Sequence, residues 1–240
     1  MLFIQVFAIA LLGAFLQANI GFGFPVIAMV FLPSLFPFST AVALNQMIAL
    51  ASTGYLTLKY RASIRYATLI PLLISSLVVG MVFILFSFSL DSRILVLLLG
   101  GFLILLSLYF IIFSARISIK PTRRNSLAMG SLAGLGNGLF GIGGPPVALY
   151  LLASTGDKRA YLGTIQAYFL ICNIQSIILR SMHGAVALDQ VPLVLLGWAG
   201  IGMGTYLGLK LFNIWSETVL KRIVYGFVGI SGVWIIINAR

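Results

Sequence analysis

Residues 139–146 read Leu-Phe-Gly-Ile-Gly-Gly-Pro-Pro and interrupt a long apolar stretch of the chain. Glycine lets the backbone leave helical geometry, and proline is favoured in the first turn of a new helix, where its missing N–H is no loss. A weaker copy, Asn-Ile-Gly-Phe-Gly-Phe-Pro, occupies residues 19–25. Each stretch therefore predicts a helix, a break and a second helix that begins at the break.

The composition of the chain places these breaks in a membrane. Of its 240 residues 61% are hydrophobic and 8% are charged, and the mean hydropathy is +1.14. A soluble domain is about a quarter charged. Only helices and closed barrels satisfy their backbone in lipid, so we predict that every apolar segment is a helix. These segments are Leu2–Ile20, Pro25–Phe36, Ser39–Leu58, Ala67–Phe88, Ile94–Ser114, Ser126–Phe140, Pro145–Ala153, Ala160–Leu179, Val191–Phe212 and Thr218–Asn238.

The chain carries a strong positive charge, with 15 Lys and Arg, 4 Asp and Glu and a formal net charge of +11. In a soluble protein this excess would suggest a nucleic-acid partner. Here the basic residues lie in short loops and at segment ends, where the cytoplasmic side of a membrane retains them. We therefore predict a multi-pass protein of the plasma membrane, with the lipid bilayer as its partner and no bound nucleic acid.

Several kinds of chemistry are disfavoured by the residues that the chain lacks. Cys172 is the only cysteine, which excludes an intrachain disulfide and a cysteine metal cluster. All four acidic residues lie at segment ends, whereas a cation carrier keeps a carboxylate within the membrane. No Walker, His-Glu-x-x-His or Gly-x-Ser-x-Gly motif is present. We predict no catalytic residues, no metal site and no cofactor, and a packing role for Cys172.

The two halves of the chain resemble each other. An offset of 120 residues aligns them without a gap through the breaks. We predict a first membrane repeat over residues 1–115, a basic cytoplasmic linker over 116–125 and a second membrane repeat over 126–240. The matches that exceed what an apolar composition gives by chance are Gly21 with Gly141, Gly23 with Gly143, Pro25 with Pro145 and Gln46 with Gln166.

Loop charges predict that the repeats are inverted. An odd number of crossings in each half places 12 basic residues inside and 3 outside, against 9 and 6 for an even number, and the positive-inside rule favours the first arrangement. Residues 25–36 make ~18 Å of helix, too short for a hydrocarbon core of ~30 Å. The fold we predict is an all-α membrane protein whose two repeats each contain a Gly/Pro-broken first segment and three further transmembrane helices.

The breaks are the candidate binding sites. A helix that starts within the membrane presents free N–H groups and a partial positive charge, which together favour an anion. Paired broken segments mark the binding site in many transporters, although small residues also permit close helix packing. The candidate residues at the breaks are Gly21, Gly23, Pro25, Gly141, Gly143, Gly144 and Pro145.

Two amides extend this candidate site. Gln46 and Gln166 each follow a motif proline by 21 residues, and an amide can donate two hydrogen bonds to an oxyanion. The alternative is a hydrogen bond between helices that only holds the bundle together. Weaker candidates of the same kind are Asn19, Asn45, Asn137 and Asn173.

The remaining polar residues fit the surface. Lys158, Arg159 and Arg180 are expected to set topology and to contact lipid headgroups, and they could also draw anions into a vestibule. His183 is expected at the membrane interface.

Residues 138–147 resemble the hallmark of the sulfite exporter TauE/SafE family. The weaker copy from Gly21 to Pro25, the basic mid-chain link and the total length also match, so the resemblance covers essentially the whole chain. It implies a plasma-membrane permease for a small anion: sulfite, a sulfonate or a related oxyanion. The chain departs from the family pattern at Phe24 and Pro146, which leaves the choice among these anions open.

These observations predict a secondary carrier that binds a small anion at the paired helix breaks. The alternative is an anion channel or facilitator without alternating access. The sequence carries no prediction of oligomeric state.

The charge pattern makes a testable prediction about topology. We expect Arg61 and Lys120 to face the cytoplasm and both termini to face outside. Single cysteines at residues 61 and 120, introduced after Cys172→Ala, should react with a membrane-impermeant thiol reagent only in permeabilised cells. Terminal reporter fusions provide the second measurement, and a cytoplasmic N-terminus would contradict the inverted arrangement.

Overall fold

A computed structural model of the chain describes residues 1–20, 23–113, 119–211 and 217–239. Within these ranges the regular structure is helical and contains no strand. Three 3-10 turns, Leu32–Ser34, Arg61–Ser63 and Leu188–Gln190, lie between the helices. The α-helices are α1 (Leu2–Ile20), α2 (Phe24–Phe31), α3 (Phe38–Lys59), α4 (Tyr66–Ser87), α5 (Ser92–Phe113), α6 (Arg123–Phe140), α7 (Gly144–Thr155), α8 (Lys158–Met182), α9 (Val191–Leu211) and α10 (Glu217–Asn238).

The all-helical prediction is confirmed, and α1 has the predicted bounds. Large apolar side chains such as Ile74 and Val78 on α4 point outward, as expected where lipid is the solvent. The fold is that of a multi-pass membrane protein. In the described part of the chain, five segments are long and apolar enough to cross a membrane: Phe38–Lys59, Tyr66–Ser87, Ser92–Ile111, Lys158–Met182 and Leu188–Lys210.

The helices form two compact units, and each unit takes helices from both halves of the sequence. The first unit comprises Met1–Ile48, Leu90–Ile117 and Leu188–Arg240. It therefore contains α1, α2, α5, α9, α10 and the start of α3. The second unit comprises Ala49–Ser89 and Ser118–Ala187, with α4, α6, α7, α8 and the rest of α3. The sequence repeats at 1–115 and 126–240 remain a prediction, since a compact unit is not a repeat.

Glycine brings helices into close contact in both units. In the second unit α4 and α6 run parallel, and a Cβ at Gly134 would lie 2.6 Å from the Ser76 carbonyl oxygen. A Cβ at Gly138 would lie 2.7 Å from the Gly80 carbonyl oxygen. The corresponding pair in the first unit is α1 and α9, where a Cβ at Gly200 would lie 2.8 Å from a backbone oxygen of α1. Residues spaced by four lie on one helix face, so a row of glycines lets the backbones touch.

One end of the second unit gathers the starts of α4, α6 and α8. The Arg65 N–H donates to Thr164 Oγ1 at 3.0 Å, and Tyr150 Oη lies 3.5 Å from the Thr122 carbonyl oxygen. We call this the basic end. The far end holds Phe88 and His183, whose rings stack at 4.3 Å. Helix α6 therefore runs away from the basic end, and α7 returns to it.

The start of α8 lies at this basic end and is capped by a carboxylate. The Ala160 N–H donates to Asp157 Oδ2 at 2.9 Å. This hydrogen bond lowers the pKa of the Asp157 carboxyl below its ordinary value, and the charges of Arg159 and Arg65 act in the same direction.

The close packing of α4 on α6 is testable with one methyl group. We expect Gly134→Ala to lower the free energy of unfolding by ~1–3 kcal/mol, because the new Cβ collides with backbone. Gly101→Ala on α5 is the matched control, since a Cβ there meets nothing within 4 Å. The control should be neutral or stabilising, because alanine is the better helix former. Thermal unfolding in detergent measures both, and equal behaviour of the two variants would contradict the packing account.

Candidate functional site

The second break occupies residues 141–143. Helix α6 ends at Phe140, and Gly141 follows in the left-handed region with a φ of +69°, where glycine is favoured. The Gly141 N–H donates to the Asn137 carbonyl at 2.9 Å, and the Ile142 N–H donates to the Gly136 carbonyl at 3.1 Å. Two donors of the break are thus paired with the end of α6.

The next two donors of this break are not paired. The N–H groups of Gly143 and Gly144 donate to no other described residue, and both residues are buried. Pro145 and Pro146 then open α7 and carry no N–H of their own. Orphaned buried N–H groups are rare in folded proteins. The start of α7 therefore offers two buried backbone donors.

Gly143 also has a packing role. A Cβ at this position would lie 2.9 Å from the Ala133 carbonyl oxygen and 3.1 Å from Asn137 Cβ. The break therefore folds back against α6, and a side chain at residue 143 would push the two helices apart. The close-packing alternative applies to this glycine, so loss of transport in a Gly143 variant would not by itself identify a binding site.

The first break has a different local structure. Gly21 and the side chain of Asn19 lie outside the described residues. Gly23 has a φ of +148°, which L-residues rarely adopt, and a Cβ there would meet only the Gln17 nitrogen, at 4.0 Å. Glycine is required here by the backbone and not by a neighbour. Pro25 follows in the first turn of α2.

Gln17 caps the first break, and sequence reasoning missed it. The Phe24 N–H at the start of α2 donates to Gln17 Oε1 at 3.1 Å. The signal was available, because the offset of 120 residues pairs Gln17 with Asn137, another amide just before a break. In the second half this position packs against Gly143, so both amides touch their break.

A cleft beside Gly23 is mostly apolar. It lies between α2, α5 and α10 and is small, with a volume of about 20 Å³. Ser107 lies in its wall but donates to the Tyr225 carbonyl at 2.7 Å, and the rings of Phe110 and Tyr225 stack at 4.5 Å. An anion would find little to bind in this cleft, apart from the backbone near Gly23.

The two predicted glutamines differ in their surroundings. Gln46 lies in the first unit and is 1% exposed, and both it and Asn45 have interaction partners. Gln166 lies in the second unit on α8 and is 2% exposed. Its side chain makes no hydrogen bond to any described residue, and its Oε1 atom is sealed from solvent. Only the second of these amides is buried without a partner.

Helix α8 carries a buried polar row that sequence reasoning also missed. Ser76 on α4 contacts two of its members, with Oγ lying 2.5 Å from Tyr168 Oη and 3.9 Å from Cys172 Sγ. A spacing of four in a membrane helix was the available signal. Cys172 is buried, as expected, and the weaker candidate Asn173 is also buried. The row comprises Thr164, Tyr168, Cys172, Ser176 and Arg180.

Arg180 does not contact lipid headgroups, contrary to the expectation from sequence. Its side chain is 0% exposed. Nη2 donates to the Gly138 carbonyl at 2.7 Å, Nε donates to Ser176 Oγ at 3.3 Å, and the guanidinium carbon lies 5.8 Å from the centre of the Phe88 ring. The arginine thus binds the end of α6, immediately before the break. His183 is exposed at the far end, which fits the interfacial expectation.

The sequence model of the sulfite exporter TauE/SafE family matches residues 6–235. The chain belongs to this family. Membership makes it a permease for transmembrane transport of sulfite or related anions, and the resemblance at residues 138–147 is confirmed. No curated protein sequence and no solved structure shows significant similarity to the chain. Across its described residues, this TauE/SafE protein has no cluster of three or more His, Cys, Asp or Glu that could hold a metal.

The Gln17 cap makes a prediction about the first break. Gln17→Leu leaves the Phe24 N–H without its acceptor and should lower stability by ~1 kcal/mol, as loss of a helix cap does. Gln17→Glu keeps an acceptor oxygen but places a negative charge beside the start of α2. We expect it to keep the melting temperature and to reduce sulfite transport in liposomes.

Gln5→Glu is the matched control, because Gln5 is an exposed amide on the same helix. Its transport should equal that of the wild type. If Gln17→Glu also transports normally, the start of α2 lies away from the anion's path.

Proposed function

We propose that this protein is a secondary carrier for sulfite or a closely related small oxyanion, and that the anion binds at the paired helix breaks. The observation that carries the proposal is the pair of buried N–H groups on Gly143 and Gly144, which donate to no described residue. An oxyanion accepts such bonds, and the positive end of the α7 dipole favours its charge. Membership of an anion-transport family supplies the substrate class.

Gln166 supports the same proposal. An amide that is buried in a membrane without a partner is energetically unfavourable. An oxyanion that accepts from its Nε2 would relieve that penalty during part of the transport cycle. Pro145 and Pro146 remove two backbone donors from the start of α7, and we propose that the Gln166 amide supplies a further donor to the anion.

The geometry of the second unit supports inverted repeats. Its basic end brings the region of Arg65 next to Asp157 and Thr164, and Lys158 and Arg159 open α8 at that same end. The even-crossing alternative requires these two groups of basic residues on opposite sides of the membrane. Arg180 lies near the far end of α8, on the side where the inverted arrangement places it.

Gln166 variants test the proposed role of the amide. We expect Gln166→Glu to lose more sulfite flux than Gln166→Leu, because a carboxylate repels the anion whereas leucine only removes a contact. The same order should hold at Gln46, more weakly. Flux into proteoliposomes is measured per folded protein.

Gln175 is the matched control on the same helix. Its Nε2 donates to the Leu77 carbonyl at 2.9 Å, so it holds α8 against α4. Glutamate at residue 175 should be tolerated at least as well as leucine, because a protonated carboxyl can still donate to that carbonyl. If Gln166→Glu is likewise tolerated at least as well as Gln166→Leu, the Gln166 amide holds helices together and does not bind substrate.

The carrier mechanism has its own test. Purified protein should give saturable sulfite flux that speeds up when sulfite is present on the opposite side of the membrane. A channel would instead give a conductance without such stimulation. Sulfite should also raise the melting temperature of the purified protein, since a ligand stabilises the state it binds. The absence of both sulfite flux and sulfite stabilisation would refute the proposed function.

A further inference from the structure

We infer that the buried guanidinium of Arg180 sets the positive potential of the second break and thereby raises the affinity of the protein for its anion. The inference rests on the proposed binding of the anion at the start of α7. It assigns to Arg180 a role that acts through the end of α6.

The direction of the Arg180 side chain is the first argument. Arg180 lies two residues before the end of α8, at the end of the unit that holds Phe88 and His183. An arginine near the end of a membrane helix ordinarily extends its charged head to the interface. Arg180 instead extends back along its helix, where Nε meets Ser176 Oγ and Nη2 meets the Gly138 carbonyl. The positive charge of Arg180 therefore lies inside the protein, beside the end of α6.

The dipoles at the break provide the second argument. The end of α6 carries a partial negative charge and the start of α7 a partial positive charge, each about half an elementary charge. Gly143 packs against Ala133 and Asn137, so the two ends lie side by side and their potentials oppose each other. An anion at α7 would meet the carbonyls of α6. Because the guanidinium binds the Gly138 carbonyl, a full positive charge outweighs the negative end.

The first break has no counterpart of this cation at the matching position. The offset of 120 residues pairs Arg180 with Tyr60. At the first break the nearest described cap is the neutral amide of Gln17. Among the described side chains, two breaks with a similar glycine and proline pattern thus differ in charge, and we take the second as the stronger site for an anion.

A cap without influence on the substrate is the competing account. Arg180 satisfies a carbonyl at a buried helix end, which by itself stabilises the fold. The two accounts predict different effects on the melting temperature and on the KM for sulfite. A cap alone changes the melting temperature and leaves the KM for sulfite unchanged, whereas the charge changes KM.

The experiment measures KM and maximal flux for sulfite in proteoliposomes, together with the melting temperature, for Arg180→Lys and Arg180→Gln. We expect Arg180→Gln to raise KM about tenfold or more, because the glutamine amide can still donate to Ser176 Oγ, as Nε does, but carries no charge. Arg180→Lys should keep KM within about threefold, because it restores the charge.

Ser176→Asp keeps Arg180 in place and offsets its charge, since an aspartate also accepts from Nε. It should raise KM in the same direction as Arg180→Gln, and it remains informative if the Arg180 variants do not fold. The control is Arg93→Gln, which removes an exposed arginine at the start of α5. A KM that rises equally in the control would indicate general attraction of anions and would overturn the assignment.

The remaining outcomes also distinguish the cap account from the charge account. If Arg180→Gln or Ser176→Asp lowers the melting temperature with an unchanged KM, Arg180 is a cap only. If the wild type shows neither saturable sulfite flux nor stabilisation by sulfite, the proposed function fails and this assignment fails with it. Wild-type flux with an unchanged KM in both variants overturns the assignment of Arg180 alone.

Discussion

Backbone groups inside hydrocarbon must find partners within the protein, and this constraint governs the breaks on which the fold and the proposed site both depend. At the second break most of the backbone groups find such partners. Gly141 and Ile142 donate back to α6, and Arg180 donates to the Gly138 carbonyl. What remains are the N–H groups of Gly143 and Gly144, for which the described residues hold no acceptor. In the proposed function, these two N–H groups donate to the anion.

The glycines of this chain serve two physical purposes. Gly134, Gly138 and Gly143 are small because backbone from a neighbouring helix occupies the place of a side chain. A Cβ at Gly23 would meet only the Gln17 nitrogen, at 4.0 Å, and this residue is glycine because of its positive φ. Packing and substrate binding are therefore not exclusive accounts of the motif. Close contact between α4 and α6 holds the end of α6 in place, and a fixed helix end is a condition for a defined break.

Positions that the offset of 120 residues pairs differ in their chemistry. The pairs Gln17 with Asn137 and Tyr60 with Arg180 share an offset but differ in length, charge or both. A repeat can keep its break while its side chains change, because the break depends on backbone preferences and the binding potential depends on what surrounds it.

The sequence by itself determined the all-helical membrane class and the approximate positions of the helices, and it predicted breaks at the two glycine and proline motifs. Hydrophobicity and the backbone preferences of glycine and proline act locally, so their effects can be predicted from the sequence. Only the tertiary structure decided that Arg180 turns inward to Gly138 and that Gly143 rests on α6. It also decided that Gln166 is left without a partner in the described protein. These features depend on residues far away in the sequence, because whether a polar group is satisfied is decided by its neighbours in space.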